Sequence, residues 1–421
     1  MDKSNNYKYL IVLFFLFYLS LIVGFYFDEN LNFGAIGDWL HTDLPVIESS
    51  SKDMVYTILN YEMFGHRHSP VYLLFLGFLK KIGFSFELIR FFHLNLSLLL
   101  IYFFYKCLKL KFDNIEKGLL ILISFSIFLS PTFRSLSIWP STRIIGLIFF
   151  LLSILEFLKY QKTNKEIHIW KNLTFLIISS YISPNFSVFI IFFIYHFLKK
   201  LKFDKVLNLI IFCFILSLPA FYYLFILDVN FLTAGTPGFE KGDAIGLNFN
   251  VSNKILIISS ITFFHLLPFL INKKFLNNLK NLINKKFLIL IIIFFAINIY
   301  FFNYVLNFTG GGVFYQISHY FLNNNLFFYL ISLISLIILG FLSQNNLNNL
   351  LIFAILILSN IQNTIYHKYY DPLVLILFFT LMSTSLTKEF FTKKKIFYYL
   401  YSFYLFFICA RLYKNNMYFD F

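Results

Sequence analysis

Residues 28–90 read DENLNFGAIGDWLHTDLPVIESSSKDMVYTILNYEMFGHRHSPVYLLFLGFLKKIGFSFELIR. This stretch decides how the chain is read. It holds eight of the twenty carboxylates: Asp28, Glu29, Asp38, Asp43, Glu48, Asp53, Glu62 and Glu87. The cluster His66-Arg67-His68-Ser69-Pro70 follows them. Ionisable groups beside a membrane are costly unless they are solvated, paired or used. The stretch therefore reads as the polar lining of an active site at a membrane surface. A solvated loop would carry the same charges.

The rest of the chain makes it a membrane protein. Of its 421 residues 59% are hydrophobic and 22% aromatic, and only 13% are charged, against about 25% in a soluble domain. Leu10 to Phe27, Val206 to Leu227 and Phe287 to Val305 carry no charge and are long enough to span a bilayer. No small-residue cleavage site follows the first run, so it is expected to be a retained helix. The fold class expected is all-α: a polytopic transmembrane helical bundle forming one integral membrane domain over 1–421. About thirteen spans are predicted, at 10–27, 88–105, 118–130, 141–158, 171–183, 184–198, 206–227, 253–271, 287–305, 320–342, 350–364, 371–387 and 396–412. Residues 28–87 form an external loop and 88–412 the transmembrane bundle.

Within the loop, residues 70–79 are apolar but Lys80-Lys81 stops the run, which is too short to cross. Residues 70–82 therefore read as an interfacial or re-entrant helix. With that choice the segments 1–9, 106–117, 159–171, 199–205, 272–286, 343–349 and 388–395 share one side and hold most of the 35 Lys and Arg. The positive-inside rule makes that side cytoplasmic. The N-terminus is then inside and the C-terminus outside. The same distribution accounts for the net charge of +15 without nucleic acid. The external face collects the 28–90 loop, Arg134 to Arg143, Ser183-Pro184-Asn185, residues 228–252, Asn307 to His319 and Tyr366 to Pro372. Cys107, Cys213 and Cys409 are widely spaced in apolar runs and form no disulfide or metal pattern.

Asp38, in Gly37-Asp38-Trp39, is the candidate general base, with Asp43 and Glu48 as supporting or metal-capable partners. No metal or other cofactor is expected from the pattern. Pro70 suits the first turn of a helix. Free amides there, with His66, Arg67 and His68, would make an anion site; a capped helix start reads the same way. Arg90, Arg134, Arg143 and Lys368 stand at outer helix ends, where a lipid phosphate would sit. A guanidinium can hold a phosphate bidentately, and each residue would also serve as an interfacial anchor. Gly310-Gly311-Gly312 lacks a following Lys-Ser/Thr and is no phosphate loop. It predicts a turn, or a place of close backbone approach. Asp371-Pro372 is expected to start a helix, behind the aromatic cluster Tyr366, Tyr369 and Tyr370.

At Asp38, His68-Ser69-Pro70-Val71-Tyr72, Gly83, Glu87 and Arg90 the chain resembles the GT-C superfamily of membrane glycosyltransferases, which includes the protein O-mannosyltransferases and the bacterial lipid A aminoarabinose transferases. The likeness continues at Ser130-Pro131, Arg143 and Lys368-Tyr369-Tyr370-Asp371-Pro372. It departs at Trp39, where a Glu is usual, and at Ser69, where a Pro is usual. The resemblance implies inverting transfer of a sugar from a polyprenyl-phosphate donor to a lipid or polysaccharide acceptor. The setting would be the outer face of a bacterial inner membrane. Asp38 would take the acceptor proton. Arg67, Arg90, Arg143 and Lys368, with His66, His68 and Tyr369, would bind the donor. A flippase or transporter of lipid-linked sugars would instead need charges at the bilayer midplane. An O-antigen-type polymerase or ligase would need a dominant late external loop.

Overall fold

The computed structural model describes residues 3–32, 34–65, 68–229, 250–271, 285–305, 310–344, 346–360, 362–392 and 395–419. No β-strand occurs among them. Among the described residues seven helices are long and apolar enough to cross a membrane: Lys8–Tyr26, Phe86–Lys111, Thr142–Thr163, Phe203–Ile226, Val251–Leu270, Leu326–Ser343 and Lys395–Asn415. The number rises to nine if each of two bent helix pairs counts as one span. Each of the thirteen predicted segments contains helix, but several stop short of a bilayer's thickness. The segment 320–342 is broken because Asn323 takes a left-handed backbone, φ 52°, and Ser318 Oγ donates to Asn324 O. The segment 118–130 bends by 66° into the next helix at Ser130-Pro131.

The chain forms two compact units, residues 1–241 with 404–421, and residues 242–403. In the first unit, α1 (Lys3–Tyr26) leads into α2 (Gly34–Asp38), a π-turn at Trp39–Asp43, α3 (Leu44–Lys52) and α4 (Met54–Leu59). The acidic stretch is therefore folded into short helices rather than extended. Next comes α5 (Pro70–Lys81), close to the predicted 70–82. Ser69 caps it by accepting from Val71 N–H, and Pro70 occupies the first turn. Gly83, at φ 102°, follows its end. Twelve residues give about 18 Å of helix, well short of the roughly 30 Å of bilayer hydrocarbon. One face of α5 buries Pro70, Tyr72, Leu73, Leu76 and Gly77; the other exposes Val71, Phe75 and Phe78. Gly77 sets how closely α5 lies on α3. A Cβ there would fall 1.8 Å from Ser50 Oγ and 3.2 Å from Ile47 O.

The remaining helices of this unit are α6 (Phe86–Lys111), α7 (Lys117–Phe125), α8 (Pro131–Ile138), α9 (Thr142–Thr163), α10 (Ile167–Ile182), α11 (Ile190–Leu198) and α12 (Phe203–Phe221). The pair α9–α10 is closely apposed. Ser179 Oγ donates to Gly146 O, and Asn172 Nδ2 donates to Ser153 O and Oγ. All eight residues of α8 are buried, which makes it the internal anchor for what surrounds it.

The second unit holds α13 (Val251–Leu270), α14 (Lys285–Tyr300), α15 (Gly312–Leu322), α16 (Leu326–Ser343), α17 (Leu347–Leu358), α18 (Leu373–Thr380), α19 (Ser385–Thr392) and the start of α20 (Lys395–Phe419). Gly310, Gly311 and Gly312 all have left-handed backbones, at φ 114°, 73° and 75°. Gly311 N–H donates to Ile365 O, and a Cβ on Gly312 would lie 2.6 Å from Ile261. This is the close backbone approach expected of the triplet.

Candidate functional site

Asp38 is half-buried at the end of α2. The π-turn that follows closes with Leu44 N–H donating to Trp39 O. Single π-turns inside helices are frequent at functional sites because they bring out a side chain that a regular helix would not. The buried Trp39 packs edge-on against Phe86, in the first turn of α6, with ring centroids 6.4 Å apart. Asp38 is thereby tied to the start of the helix that carries Arg90 one turn later.

Asp43, at the other end of the π-turn, is only 5% exposed. Its carboxylate lies close enough to Tyr61 and Tyr72 to act on both phenols. Burial pushes both well above the usual tyrosine range, and the negative charge of Asp43 adds to this. Tyr61 donates to His68 O at 2.8 Å, which pins the approach to α5. Glu48 lies on the exposed face of α3, opposite the face buried against α5. The fold thus groups Asp38 and Asp43 around the π-turn and does not enclose Glu48 with them. His66 and Arg67 lie outside the described residues.

The basic residues sort by what holds them. Arg134 is 5% exposed and makes four hydrogen bonds through its guanidinium. Nε and Nη2 donate to the two carboxylate oxygens of Glu29 at 2.6 Å each; Nη1 donates to Ser20 Oγ and Nη2 to Ser20 O. Gly24 makes room for this pair, since a Cβ there would lie 2.8 Å from Glu29 Oε2. Arg90 donates from Nη2 to Asp28 Oδ1 at 2.6 Å and from Nε to Ile138 O at 3.4 Å. Its guanidinium lies 3.7 Å from the Trp139 ring centroid and 4.9 Å from that of Phe25. Glu87, three residues earlier, is not the partner in this ion pair. Arg143, in the first turn of α9, lies 5.4 Å from the Phe186 ring. Lys368 and Tyr369 belong to the second unit. There Lys368 lies 5.3 Å from the Tyr366 ring, and Tyr369 OH is 3.4 Å from Gln362 Oε1.

Sequence reasoning missed a buried relay. His93 Nε2 is 2.8 Å from Leu136 O, so this nitrogen carries the proton. Nδ1 of the neutral ring then accepts from Tyr72 OH at 2.5 Å. The relay ties α5, α6 and α8 together. Its residues are 21 and 43 positions apart, and no local spacing signals it. The second unit has its own buried contact, His265 Nε2 to His367 Nε2 at 3.0 Å. Among the described residues no three His, Cys, Asp or Glu side chains come together as metal ligands.

Two apolar grooves flank α5. The larger, about 730 Å³, runs from Pro70 and Val71 past Tyr181 and Pro184 to Cys213 and Tyr223. The smaller, about 460 Å³, is lined by Val71, Phe75, Leu99, Phe103 and Ile148. Val71 borders both. No family model, curated protein or solved structure matches this chain.

Proposed function

We propose that the protein is a membrane glycosyltransferase that takes a sugar from a polyprenyl-phosphate carrier. On this reading the sugar passes, with inversion, to a lipid or polysaccharide acceptor on the non-cytoplasmic face of a bacterial inner membrane. The observation that carries this reading is the larger groove. It is an apolar groove walled by the membrane-length helix Phe203–Ile226 and the shorter α5, α10 and α11, and its rim includes Ser69, Pro70 and Val71, the N-terminal turn of a helix of bilayer-surface length. Such a groove suits a hydrocarbon chain. The carboxylates around the π-turn would provide the proton acceptor.

In this mechanism Asp38 accepts the proton of the acceptor hydroxyl as that oxygen attacks the anomeric carbon. The bond to the lipid phosphate breaks on the opposite face, and the carrier leaves as an anion that needs cations rather than a proton. Arg90, and from the sequence pattern Arg67 and Arg143, would stabilise the charge that grows on the phosphate. Anchoring the donor chain in the groove turns a bimolecular encounter into an oriented one. Asp43 would act as the supporting partner of Asp38. About thirteen spans with 70–82 at the surface remain the topology proposed.

The test uses the purified protein in vesicles with radiolabelled polyprenyl-phosphate sugars and a bacterial lipid extract as acceptor. Asp38→Asn is expected to lower transfer by roughly 10²–10⁴-fold, the typical contribution of a general base, with unfolding unchanged. Activity within about tenfold of wild type would remove Asp38 as the base. A flippase is the second reading, because the groove would suit a transported lipid as well. It predicts movement of the labelled donor between leaflets with no new glycosidic product.

A further inference from the structure

Asp28 and Glu29 are adjacent, yet their arginines are held in different ways. The Arg134–Glu29 pair is largely enclosed, with Ser20 bonded to the guanidinium and Gly24 against the carboxylate. In the Arg90–Asp28 pair, 13% of the arginine side chain and 58% of the aspartate side chain are exposed. Only one carboxylate oxygen is engaged, at 2.6 Å. Asp28 lies just past the end of α1 with a left-handed backbone, φ 51°.

Arg90 does not depend on Asp28 for its placement. The guanidinium is stacked 3.7 Å from the Trp139 ring centroid and 4.9 Å from that of Phe25. Its Nε reaches Ile138 O. Trp139 is itself fixed, because its indole N–H donates to Glu29 O at 3.1 Å. A planar fork of donors is therefore held rigid by aromatic faces and a backbone carbonyl, while a solvent-exposed carboxylate occupies its outer edge. A pre-oriented guanidinium of this kind matches a tetrahedral oxyanion bidentately.

We propose that Arg90 is the seat of a phosphate group and that Asp28 is its internal competitor, displaced when the phosphate arrives. The inference rests on the glycosyltransferase reading only for the source of the phosphate, a lipid headgroup. The seat would accept free phosphate by the same chemistry. Asp28 then sets the affinity and keeps the arginine paired when no substrate is present. Glu29, one residue on, has no such freedom.

The test measures binding to the full chain in nanodiscs, with undecaprenyl phosphate and inorganic phosphate as separate probes. Asp28→Asn is expected to tighten undecaprenyl phosphate binding by about two- to fivefold, the range over which an ion pair this exposed can compete. Arg90→Lys keeps the charge but loses the fork and is expected to weaken binding. In the Arg90→Lys background the gain from Asp28→Asn should shrink. Inorganic phosphate that binds without displacing undecaprenyl phosphate would place the lipid headgroup elsewhere and overturn the lipid assignment. Unchanged or weaker binding in Asp28→Asn would make Asp28 a structural partner and overturn the proposal. Absence of sugar transfer together with a tightened Asp28→Asn would instead sink the transferase reading and leave the seat standing.

Discussion

Three ion pairs of the first unit, Arg134–Glu29, Arg90–Asp28 and Lys162–Asp113, have N–O distances between 2.6 and 2.8 Å and share little else. The arginine and glutamate side chains of the first are 6% and 18% exposed, those of the second 13% and 58%, and in the third both are more than half exposed. Length alone would rank them as equals. Solvent decides otherwise, because water screens an exposed pair and competes for its partners, while an enclosed pair has no alternative partner. The first pair is therefore a structural clasp, the second an exchangeable contact and the third a surface decoration.

Breaking the clasp should have the largest effect. Arg134→Ala leaves the half-buried Glu29 unpaired, at a cost approaching the roughly 3–5 kcal/mol of a fully buried pair in unfolding free energy in detergent. Replacing both partners by leucine should recover part of that loss, since burying two apolar groups avoids the desolvation penalty of the charges. An Arg134→Ala protein as stable as wild type would erase the distinction between the pairs.

Next comes a change that loosens the same region without touching charge. Gly77→Ala drives a methyl group into Ser50 and should cost about 1–3 kcal/mol, as overpacking does. Pairing it with Ser50→Gly should restore most of the loss. Failure of that rescue would show that the α3–α5 contact is not what holds the acidic segment.

The exchangeable pair should contribute least to stability where it matters most to binding. Asp28→Asn is expected to shift unfolding by no more than about 1 kcal/mol while it tightens phosphate binding. A stability loss as large as that of Arg134→Ala would merge the two arginines into one class.

The smallest effect belongs to Asp113. Its hydrogen bond and ion pair with Lys162 hold the carboxyl below its usual range. A depressed pKa stabilises the fold at pH values above the unfolded pKa, and that contribution is lost as the pH falls through the folded one. Asp113→Asn should remove only that part of the acid limb of the stability curve. An unchanged acid limb would leave the pair with no role in stability.

Much of the fold was legible because its signals are local. Apolar runs between lysine clusters marked helix in all thirteen predicted segments. Ser69-Pro70 and Lys80-Lys81 with Gly83 gave α5 its start and stop, through a cap, a restricted φ and a left-handed residue. Gly310-Gly311-Gly312 foretold a close approach, because only glycine takes that backbone freely. The candidate site was legible as a composition, eight carboxylates in one stretch, but not as an arrangement.

Only packing decided the arrangement. It placed Asp38 and Asp43 on a π-turn and left Glu48 on an exposed face. It enclosed Arg134, which the sequence offered as an equal of Arg90, and left Arg90's partner in solvent. It joined Tyr72, His93 and Leu136, and it broke the predicted span 320–342 at Asn323. Helix periods and caps depend on neighbours within about four residues. The partners of Arg90 and Arg134 lie 62 and 105 positions away, so how the helices pack selects them.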